Sequence, residues 1–289
     1  MAKLSHEKAK LHLKACEMLA KGYLTFEEKW FVLENWHEGA TNLNGEAGAF
    51  FTPPSLARDF QINMGYSPSI IDLCAGIGTL AFMAWHSYRA AVQKPPRIVC
   101  VEKNPAYVAV GRLVLPEAEW IEGDIFDLPA NIGHFALAIG NPPFGKAPKQ
   151  GRAPRYTGPA FEFHAIDVAS DIADSGVFLI PQQSAPFKFS GVTCFKEQRS
   201  AHHEAFRAQT LAEIECTALM DTSYHRAAWH FTVPPVEIVT LDFTEARQAR
   251  AALAAAKPCR LSHVTRRHVP AGQLDLFGGA MPQAARVAA

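Results

Sequence analysis

The residues that could do chemistry begin with the tetrapeptide Asn141-Pro142-Pro143-Phe144, which follows the apolar run Phe135–Gly140. An apolar run ending in Gly is typical of a buried parallel strand that stops at the carboxyl edge of a sheet. The two prolines fix two φ angles and remove two N–H donors. The turn therefore presents acceptors, the Asn141 side-chain oxygen and the Pro142 carbonyl, beside the flat face of Phe144. This arrangement suits a planar group carrying an NH2, such as an amide or the exocyclic amine of a base. The alternative is a tight turn with a core Phe.

A second set of residues could bind a nucleoside-like ligand. The run Ile71–Thr79 has the pattern of a strand, a Gly-x-Gly turn at Gly76 and Gly78, and the start of a helix. Glycine lets the backbone approach a ligand closely, and a helix N-terminus points amides at it. The full G-x-G-x-x-G spacing is missing, so a dinucleotide is disfavoured.

Two acids follow the next two predicted strands. Glu102 ends the second strand, where a carboxylate could accept both hydroxyls of a ribose. Asp124 follows the third strand and could accept a hydrogen bond from an adenine amine. Each acid alone could be an ordinary loop residue, but together with the glycine turn they favour a ligand site.

From Ser69 onward, strands alternate with helices, which predicts an α/β fold with a doubly wound, mostly parallel, seven-stranded sheet. The predicted strands are Ile70–Cys74, Ile98–Glu102, Trp120–Ile121, Phe135–Gly140, Val177–Ile180 and a terminal antiparallel pair, Ile214–Met220 and Val236–Phe243. The predicted helices are Ser5–Lys21, Thr25–Trp36 with a Thr25/Glu28 capping box, a helix capped by Thr52 and ending near Met64, Thr79–Ala91, Ala106–Leu115 and Phe161–Asp171.

Composition narrows the class of protein. The 289 residues include 28 Lys+Arg and 28 Asp+Glu, so net charge neither indicates nor excludes a nucleic-acid partner. The six cysteines have no C-x-x-C spacing, which argues for reduced thiols and against disulfides or zinc. The histidines also lack ligand spacing, so no metal is expected. No signal peptide or membrane span is recognisable, and we expect a cytoplasmic protein.

The combined motifs resemble those of S-adenosylmethionine-dependent DNA adenine-N6 methyltransferases, in the gamma-type order that places the cofactor motifs before Asn-Pro-Pro-Phe. The likeness covers about residues 49–181 and extends more loosely to 243. Asn-Pro-Pro-aromatic also occurs in methyltransferases for ribosomal RNA and for protein glutamine, usually without the upstream Phe-Thr-Pro element. The motifs that carry the resemblance are Phe51-Thr52-Pro53-Pro54, Asp72-Leu73-Cys74-Ala75-Gly76-Ile77-Gly78, Glu102, Asp124 and Asn141-Pro142-Pro143-Phe144.

The resemblance implies a Rossmann-like methyltransferase fold, S-adenosylmethionine as cofactor and a role for each motif residue. The base would be flipped out of a duplex, its amine held by Asn141 and Pro142, and its ring stacked on Phe144. Pro143 would complete the catalytic turn. The methionine end of the cofactor would contact Phe51 and Thr52. Asp72, Gly76 and Gly78, in a motif that includes Cys74, would form its cradle. Glu102 would bind the ribose, Asp124 the adenine amine, and Asn141 would also contact the cofactor.

Two basic segments could bind the DNA backbone. The loop Gly145–Arg155 contains Lys146, Lys149, Arg152 and Arg155 and no acid, next to the proposed base pocket. Phosphate contacts are one interpretation, and a mobile solvated loop is the other. The stretch Pro186–Arg199, with Lys188, is the candidate recognition loop. Little length remains for a separate target-recognition domain, so we expect low or short sequence specificity.

The C-terminal segment contains Gln273-Leu274-Asp275-Leu276-Phe277, which resembles the pentapeptide that docks bacterial replication proteins on the sliding clamp. Gln273, Leu274, Leu276 and Phe277 would make the contact, in a bacterial, phage or plasmid context. Folding back onto its own domain is the alternative. The expected division is an N-terminal helical extension at 1–48, a catalytic domain at 49–246 and a tail at 247–289.

The sequence therefore predicts a DNA adenine-N6 methyltransferase. The alternatives are an RNA methyltransferase acting on adenine or guanine amines, and a non-catalytic DNA- or clamp-binding protein that keeps a relic cofactor fold. The sequence does not indicate the oligomeric state.

Overall fold

The computed structural model describes residues 5–37, 50–92, 94–147, 151–230 and 233–256. Its strands are β1 Ser69–Leu73, β2 Arg97–Glu102, β3 Glu119–Glu122, β4 Phe135–Gly140, β5 Ala173–Pro181, β6 Phe187–Lys188, β7 Lys196–Glu197 and β8 Val236–Asp242. Its α-helices are α1 His6–Leu19, α2 Phe26–Asn35, α3 Pro54–Phe60, α4 Thr79–Val92, α5 Pro105–Val114, α6 Phe161–Ile172, α7 Ala201–Thr210 and α8 Phe243–Ala256.

Six strands form one sheet in the order β3-β2-β1-β4-β5-β8, and β6 and β7 form a separate two-stranded hairpin. The first five strands of the sheet are parallel, and β8 pairs antiparallel with β5. The chain order reverses between β1 and β4, so the crevice at their carboxyl ends is a topological switch point. Ligands bind at that point in open α/β sheets.

Both faces of the sheet are covered, as the apolar runs of a parallel sheet require. Alternate residues of β1 point to opposite sides: Ile70 belongs to the apolar cluster with α3, α4 and α5, and Ile71 belongs to the cluster with α6 and α8. This two-sided burial confirms the predicted doubly wound fold.

The predicted count of seven strands is wrong in the described part of the chain. Ile214–Met220 is not a strand there and contributes only a single antiparallel bridge, between Glu215 and Thr240. Three residues later, the Ala218 N–H donates to the Asn63 side chain at 3.1 Å. This contact draws the chain away from β8 after one residue pair, and β8 pairs with β5 instead.

The N-terminal helices pack on the sheet domain. The predicted capping box is present, because Thr25 N–H donates to Glu28 Oε2 at 3.0 Å and Glu28 N–H donates to Thr25 Oγ1 at 3.3 Å. Trp36, directly after α2, is buried with its ring 5.8 Å from that of Phe51. Helix α2 therefore supports one wall of the site described below. No helix among the described residues has the length and apolarity needed to cross a membrane.

Candidate functional site

Asn141 is the first residue after β4, and its side chain is fixed by two hydrogen bonds. Nδ2 donates to the Phe50 carbonyl at 2.8 Å and to Thr52 Oγ1 at 3.0 Å. A carbonyl can only accept, so the amide orientation follows from these contacts. The other atom, Oδ1, is buried and has no hydrogen-bond partner among the described residues. Asn141 therefore presents one unsatisfied acceptor.

Thr52 has a different role from the one predicted. Helix α3 begins at Pro54 with Pro53 at its N-cap and no side-chain capping bond, so the prediction of Thr52 as N-cap is wrong. Thr52 is buried and its hydroxyl accepts from Asn141 instead. The Phe-Thr-Pro-Pro segment thus reaches the Asn-Pro-Pro-Phe turn, 89 residues further along the chain.

The remaining residues of the turn lie beside this acceptor. Pro142 is buried, and Pro143 and Phe144 are half-buried. The Phe144 ring lies 6.0 Å from the Phe50 ring at an interplanar angle of 34°. The turn thus carries an aromatic ring three residues after Asn141 in the chain.

A cavity of about 340 Å³ opens at the carboxyl ends of the strands, a size in the range of small-molecule sites. A small adjoining cavity is lined by Thr52 and Asp72 and shares Asn141 and Gly76 with the larger one. The structure therefore brings Asn141 and Pro143 of the Asn-Pro-Pro-Phe turn and most of the predicted cofactor residues to one cleft. The predicted residues that line the larger cavity are Phe51, Cys74, Gly76, Glu102, Asp124, Asn141 and Pro143.

The Gly-x-Gly turn takes backbone conformations that other residues rarely adopt. Gly76 has φ +59°, and a Cβ there would lie 3.1 Å from the Phe51 ring. Gly78 has φ +87°, and a Cβ there would lie 3.0 Å from the Trp120 ring. Both positions favour glycine for conformation and for space. Gly76 lines the cavity, and Gly78 packs against Trp120.

Glu102, at the end of β2, is bound to the Gly-x-Gly turn. Its Oε2 accepts from the Gly76 N–H at 2.8 Å, and its Oε1 accepts from the Asn104 N–H at 2.8 Å. Burial raises the pKa of Glu102 to about 6, against these backbone hydrogen bonds, which lower it. A carboxylate has about four acceptor positions, so these bonds leave acceptor capacity for a hydroxyl group of a ligand.

Asp72, in β1, is buried with both oxygens lacking a proper hydrogen bond within the described residues. Burial raises the pKa of Asp72 well above its usual range, the Ala81 backbone N–H opposes the rise, and the Glu102 charge adds to it. A buried carboxyl that lacks a short, well-aligned hydrogen bond is costly. Its position in the small cavity makes it a candidate to meet a cationic or hydrogen-bonding ligand group.

Asp124 is engaged at both oxygens. Oδ2 forms an ion pair with Lys103 Nζ at 3.0 Å, and Oδ1 accepts from the Phe126 N–H at 3.1 Å. Lys103 also lines the large cavity and was not predicted as a site residue. Its signal in the sequence is its position, one residue after Glu102 at the end of a strand.

The predicted nucleic-acid contacts divide into two groups. Lys146 and Arg152 are exposed, and Lys188 is half-buried in the β6–β7 hairpin. Arg155 instead pairs with Asp167 and Asp171 on α6, so its charge is neutralised within the fold and the predicted phosphate contact lacks support. Lys149 and the segment Gln273–Phe277 lie outside the described residues.

Comparison with known proteins addresses the fold. No model of a protein family matches the chain, and curated protein sequences gave no significant match. Among solved structures, a protein of Listeria monocytogenes described as a class I S-adenosylmethionine-dependent methyltransferase aligns with a TM-score of 0.50 and 13% identity, over 76% of this chain and 68% of that one.

A second solved structure, described as the modification subunit of a type I restriction enzyme from Vibrio vulnificus, aligns with a TM-score of 0.52 and 11% identity. The alignment covers 77% of this chain and 51% of that one, so the chain spans about half the length of that subunit. At these identities the likeness concerns the fold. The chain has the Rossmann-like fold of class I S-adenosylmethionine-dependent methyltransferases.

Proposed function

We propose that the protein transfers a methyl group from S-adenosylmethionine to the N6 amine of a flipped adenine in DNA. The observation that carries this proposal is the Asn141 side chain. Its Nδ2 is held by two acceptors, and its buried Oδ1 has no partner in the part of the chain described. A buried, unpartnered acceptor in a turn that also carries an aromatic residue fits a planar amine better than it fits a structural turn, where it would be satisfied.

The cavity residues fit the cofactor in type and position. Glu102 has acceptor positions left for ribose hydroxyls, and Asp124 lies at the same edge for an adenine amine. Asp72 and Thr52, in the adjoining cavity, lie beside Asn141, where the methionine end would reach. When bound, S-adenosylmethionine supplies a methyl group on a positively charged sulfur, so the leaving group needs no acid.

The amine of adenine is a weak nucleophile because its lone pair is delocalised into the ring. We infer that Asn141 Oδ1 and the Pro142 carbonyl accept its two hydrogens and favour a pyramidal nitrogen with a free lone pair. Fixed acceptors in a site that excludes water stabilise this geometry without reorganisation. The proton can leave after attack, so the turn has no need of a general base.

The base must leave the duplex to reach a turn at this depth. Phe144 then offers a stacking surface, and base–aromatic stacking contributes about 1–3 kcal/mol. The decisive experiment measures methyl incorporation into DNA and into RNA of matched sequence, and maps modified adenines after expression in a methylation-free host. Modified adenine in DNA supports the proposal. Transfer to RNA alone favours an RNA amine substrate, and absence of cofactor binding favours a non-catalytic protein.

The raised pKa of Glu102 predicts that lowering the pH has opposite effects on stability and on cofactor binding. Its pKa of about 6 in the folded chain lies above its ordinary value, so the folded state binds the proton more tightly than the unfolded state. The free energy of unfolding of the cofactor-free protein should therefore rise as the pH falls through 6, by up to roughly 2 kcal/mol. Cofactor binding should weaken over the same range, because protonation removes acceptor capacity.

Denaturant unfolding and calorimetric cofactor titration between about pH 7.5 and pH 5 measure both slopes. Glu102→Gln is the control, since a Gln at position 102 cannot titrate. The difference in slope between the wild type and this variant gives the contribution of Glu102 separately from that of Asp72. Parallel slopes in the wild type and Glu102→Gln would contradict the assignment.

We propose that Lys146 and Arg152 contact the phosphates of the flipped strand. Both are exposed and follow the turn in the chain, whereas the guanidinium of Arg155 is paired with carboxylates. Replacing either Lys146 or Arg152 by Ala should weaken DNA binding and reduce the salt slope by about one. Arg155→Ala, the matched control, should lower stability and leave the slope unchanged. Fluorescence anisotropy over a salt series measures this, and a slope that changes only with Arg155→Ala would contradict it.

We propose that Lys188 and the β6–β7 hairpin recognise a short target. Gln198 fixes the hairpin base by donating from Nε2 to the Ala185 carbonyl at 2.9 Å and the Phe187 carbonyl at 3.1 Å. A two-stranded element of this size can contact few base pairs. Methylation mapping that finds one long recognition sequence would overturn this.

The remaining expectations from the sequence stay proposals: the division at 48/49 and 246/247, a cytoplasmic location, and docking on a sliding clamp through Gln273, Leu274, Leu276 and Phe277. Docking of this kind would raise the effective concentration of DNA without new DNA contacts. A pull-down with the purified clamp tests it. Binding by the wild type that is lost in Leu276→Ala/Phe277→Ala supports docking, and equal recovery of both rejects it.

A further inference from the structure

Glu162 is a fully buried carboxylate in the first turn of α6. Its Oε2 accepts from the Gly145 N–H at 2.9 Å, and its Oε1 accepts from the Ser184 hydroxyl at 2.7 Å. No ion pair between Glu162 and a basic side chain occurs in the described ranges. A buried carboxylate without a counter-charge depends on its hydrogen-bond donors and on the positive end of its helix.

The residue that Glu162 holds is the one directly after Phe144. Gly145 has φ +67°, and its carbonyl accepts from the Phe161 N–H at 2.8 Å and from the Ala147 N–H at 3.0 Å. Its peptide groups are therefore fixed at three points, two of them from the first turn of α6. Because Gly145 is bonded to Phe144, this clamp sets the backbone direction at Phe144.

The opposite end of the same turn is held independently. Asn141 is fixed by Phe50 and Thr52, and the two prolines between Asn141 and Phe144 restrict φ. The other end of the turn, at Gly145, is held by the two α6 contacts and by the Ala147 N–H. Without the Glu162 contact, the Gly145 carbonyl would keep its two hydrogen bonds, but the Gly145 N–H, in the peptide group that joins it to Phe144, would lose its acceptor.

We propose that Glu162 is a positioning residue that aims the Phe144 ring and the Pro142 carbonyl at the substrate base by clamping Gly145. This inference rests on the proposed function of the turn. Through Ser184, which is buried in the loop after β5, Glu162 also joins the turn to the segment that leads into the β6–β7 hairpin. The base pocket and the candidate recognition element thus share one buried anchor.

The chain offers a conservative variant and a matched control. In Glu162→Gln, the side-chain oxygen can still accept from Gly145 and the NH2 can donate to Ser184, so it should behave close to wild type. Asp167 lies on the same helix, is equally buried, and accepts from Arg155 and Tyr156 N–H groups away from the turn. Asp167→Asn should lower thermal stability without changing the turn.

The experiment compares Glu162→Ala, Glu162→Asp, Glu162→Gln and Asp167→Asn in the full chain. Glu162→Ala should lower kcat for DNA methylation by about 10- to 100-fold, the scale of a misplaced reacting group, and leave the cofactor Kd unchanged. The fluorescence of a 2-aminopurine base at the target should be higher in the Glu162→Ala complex than in the wild-type complex, since Phe144 stacks less well on the flipped base and quenches it less. Glu162→Asp keeps the charge but is one methylene too short to reach Gly145, so it should show the same loss. It provides the test if Glu162→Ala fails to fold.

Hydrogen exchange of the Gly145 amide provides a readout that needs no substrate. Exchange should be faster in Glu162→Ala and Glu162→Asp and unchanged in Asp167→Asn. If the wild type transfers no methyl group to DNA, the proposed function fails, whereas the clamp is still judged by this exchange. Unchanged Gly145 exchange, or equal losses of kcat in Asp167→Asn and Glu162→Asp, would overturn the inference.

Discussion

Asn141→Ala is expected to lower the rate of methyl transfer to DNA by about 100- to 1,000-fold, the cost of removing one fixed hydrogen-bonding group from a site that stabilises a reacting centre. The effect should fall on kcat, since the acceptor matters most when the amine nitrogen becomes pyramidal. Single-turnover transfer of labelled methyl groups measures it directly.

The structure supplies a graded series around this variant. Thr52→Val removes one of the two acceptors for Asn141 Nδ2, while the Phe50 carbonyl remains, so its loss should be smaller. Phe144→Ala should raise the Michaelis constant for DNA as well as slow turnover, because stacking contributes to binding. Asn63→Ala removes an Asn whose oxygen accepts from Ala218, away from the cleft, and should leave kcat unchanged.

Two results would count against this assignment. Undiminished methyl transfer in Asn141→Ala would show that the amine hydrogens are held elsewhere. An equal loss in Asn63→Ala would show that the effect is one of stability, and thermal unfolding of each variant provides that comparison.

The sequence predicted the sheet and the position of the site because both depend on local pattern. Apolar runs ending in Gly or an acid mark strands of a parallel sheet. Since parallel strands end at one edge, Gly76, Glu102 and Asn141 had to meet there, and they line the same cavity. The count of strands failed at Ile214–Met220 because a contact with Asn63 interrupts the pairing after a single bridge.

The hydrogen-bond partners at the site could not be predicted in the same way. Thr52 has the type and spacing of an N-cap, and only the folded chain brings Asn141 close enough to bind it. Arg155 stands in a basic loop, but the carboxylates that neutralise it lie on α6. Glu162 has no local signal, because its role depends on where the turn and α6 meet. Pairings between distant segments are set by tertiary packing and leave no periodic pattern.

Gly140→Ala is expected to reduce both stability and activity, although the change adds only one methyl group. A Cβ at Gly140 would lie 2.7 Å from the Leu73 carbonyl oxygen and 3.2 Å from the Phe178 ring. The nearer atom belongs to the backbone of β1, so it cannot turn aside. The carboxyl end of β4 must move instead, and this end carries Asn141. Overpacking of this kind costs about 1–3 kcal/mol of unfolding free energy.

The same shift should lower kcat by about 100-fold, because a displacement on the order of 1 Å at a reacting group has that effect. Gly176→Ala is the matched control. Its Cβ would lie 2.7 Å from the rings of Phe178 and Phe243 and meets no backbone atom at that distance, so stability should fall similarly while kcat falls less than in Gly140→Ala. Denaturant unfolding and single-turnover transfer on both variants separate the two effects. If Gly140→Ala loses as much stability as Gly176→Ala but keeps the wild-type kcat, the turn tolerates displacement, and catalysis does not depend on the fixed position of the Asn141 acceptor.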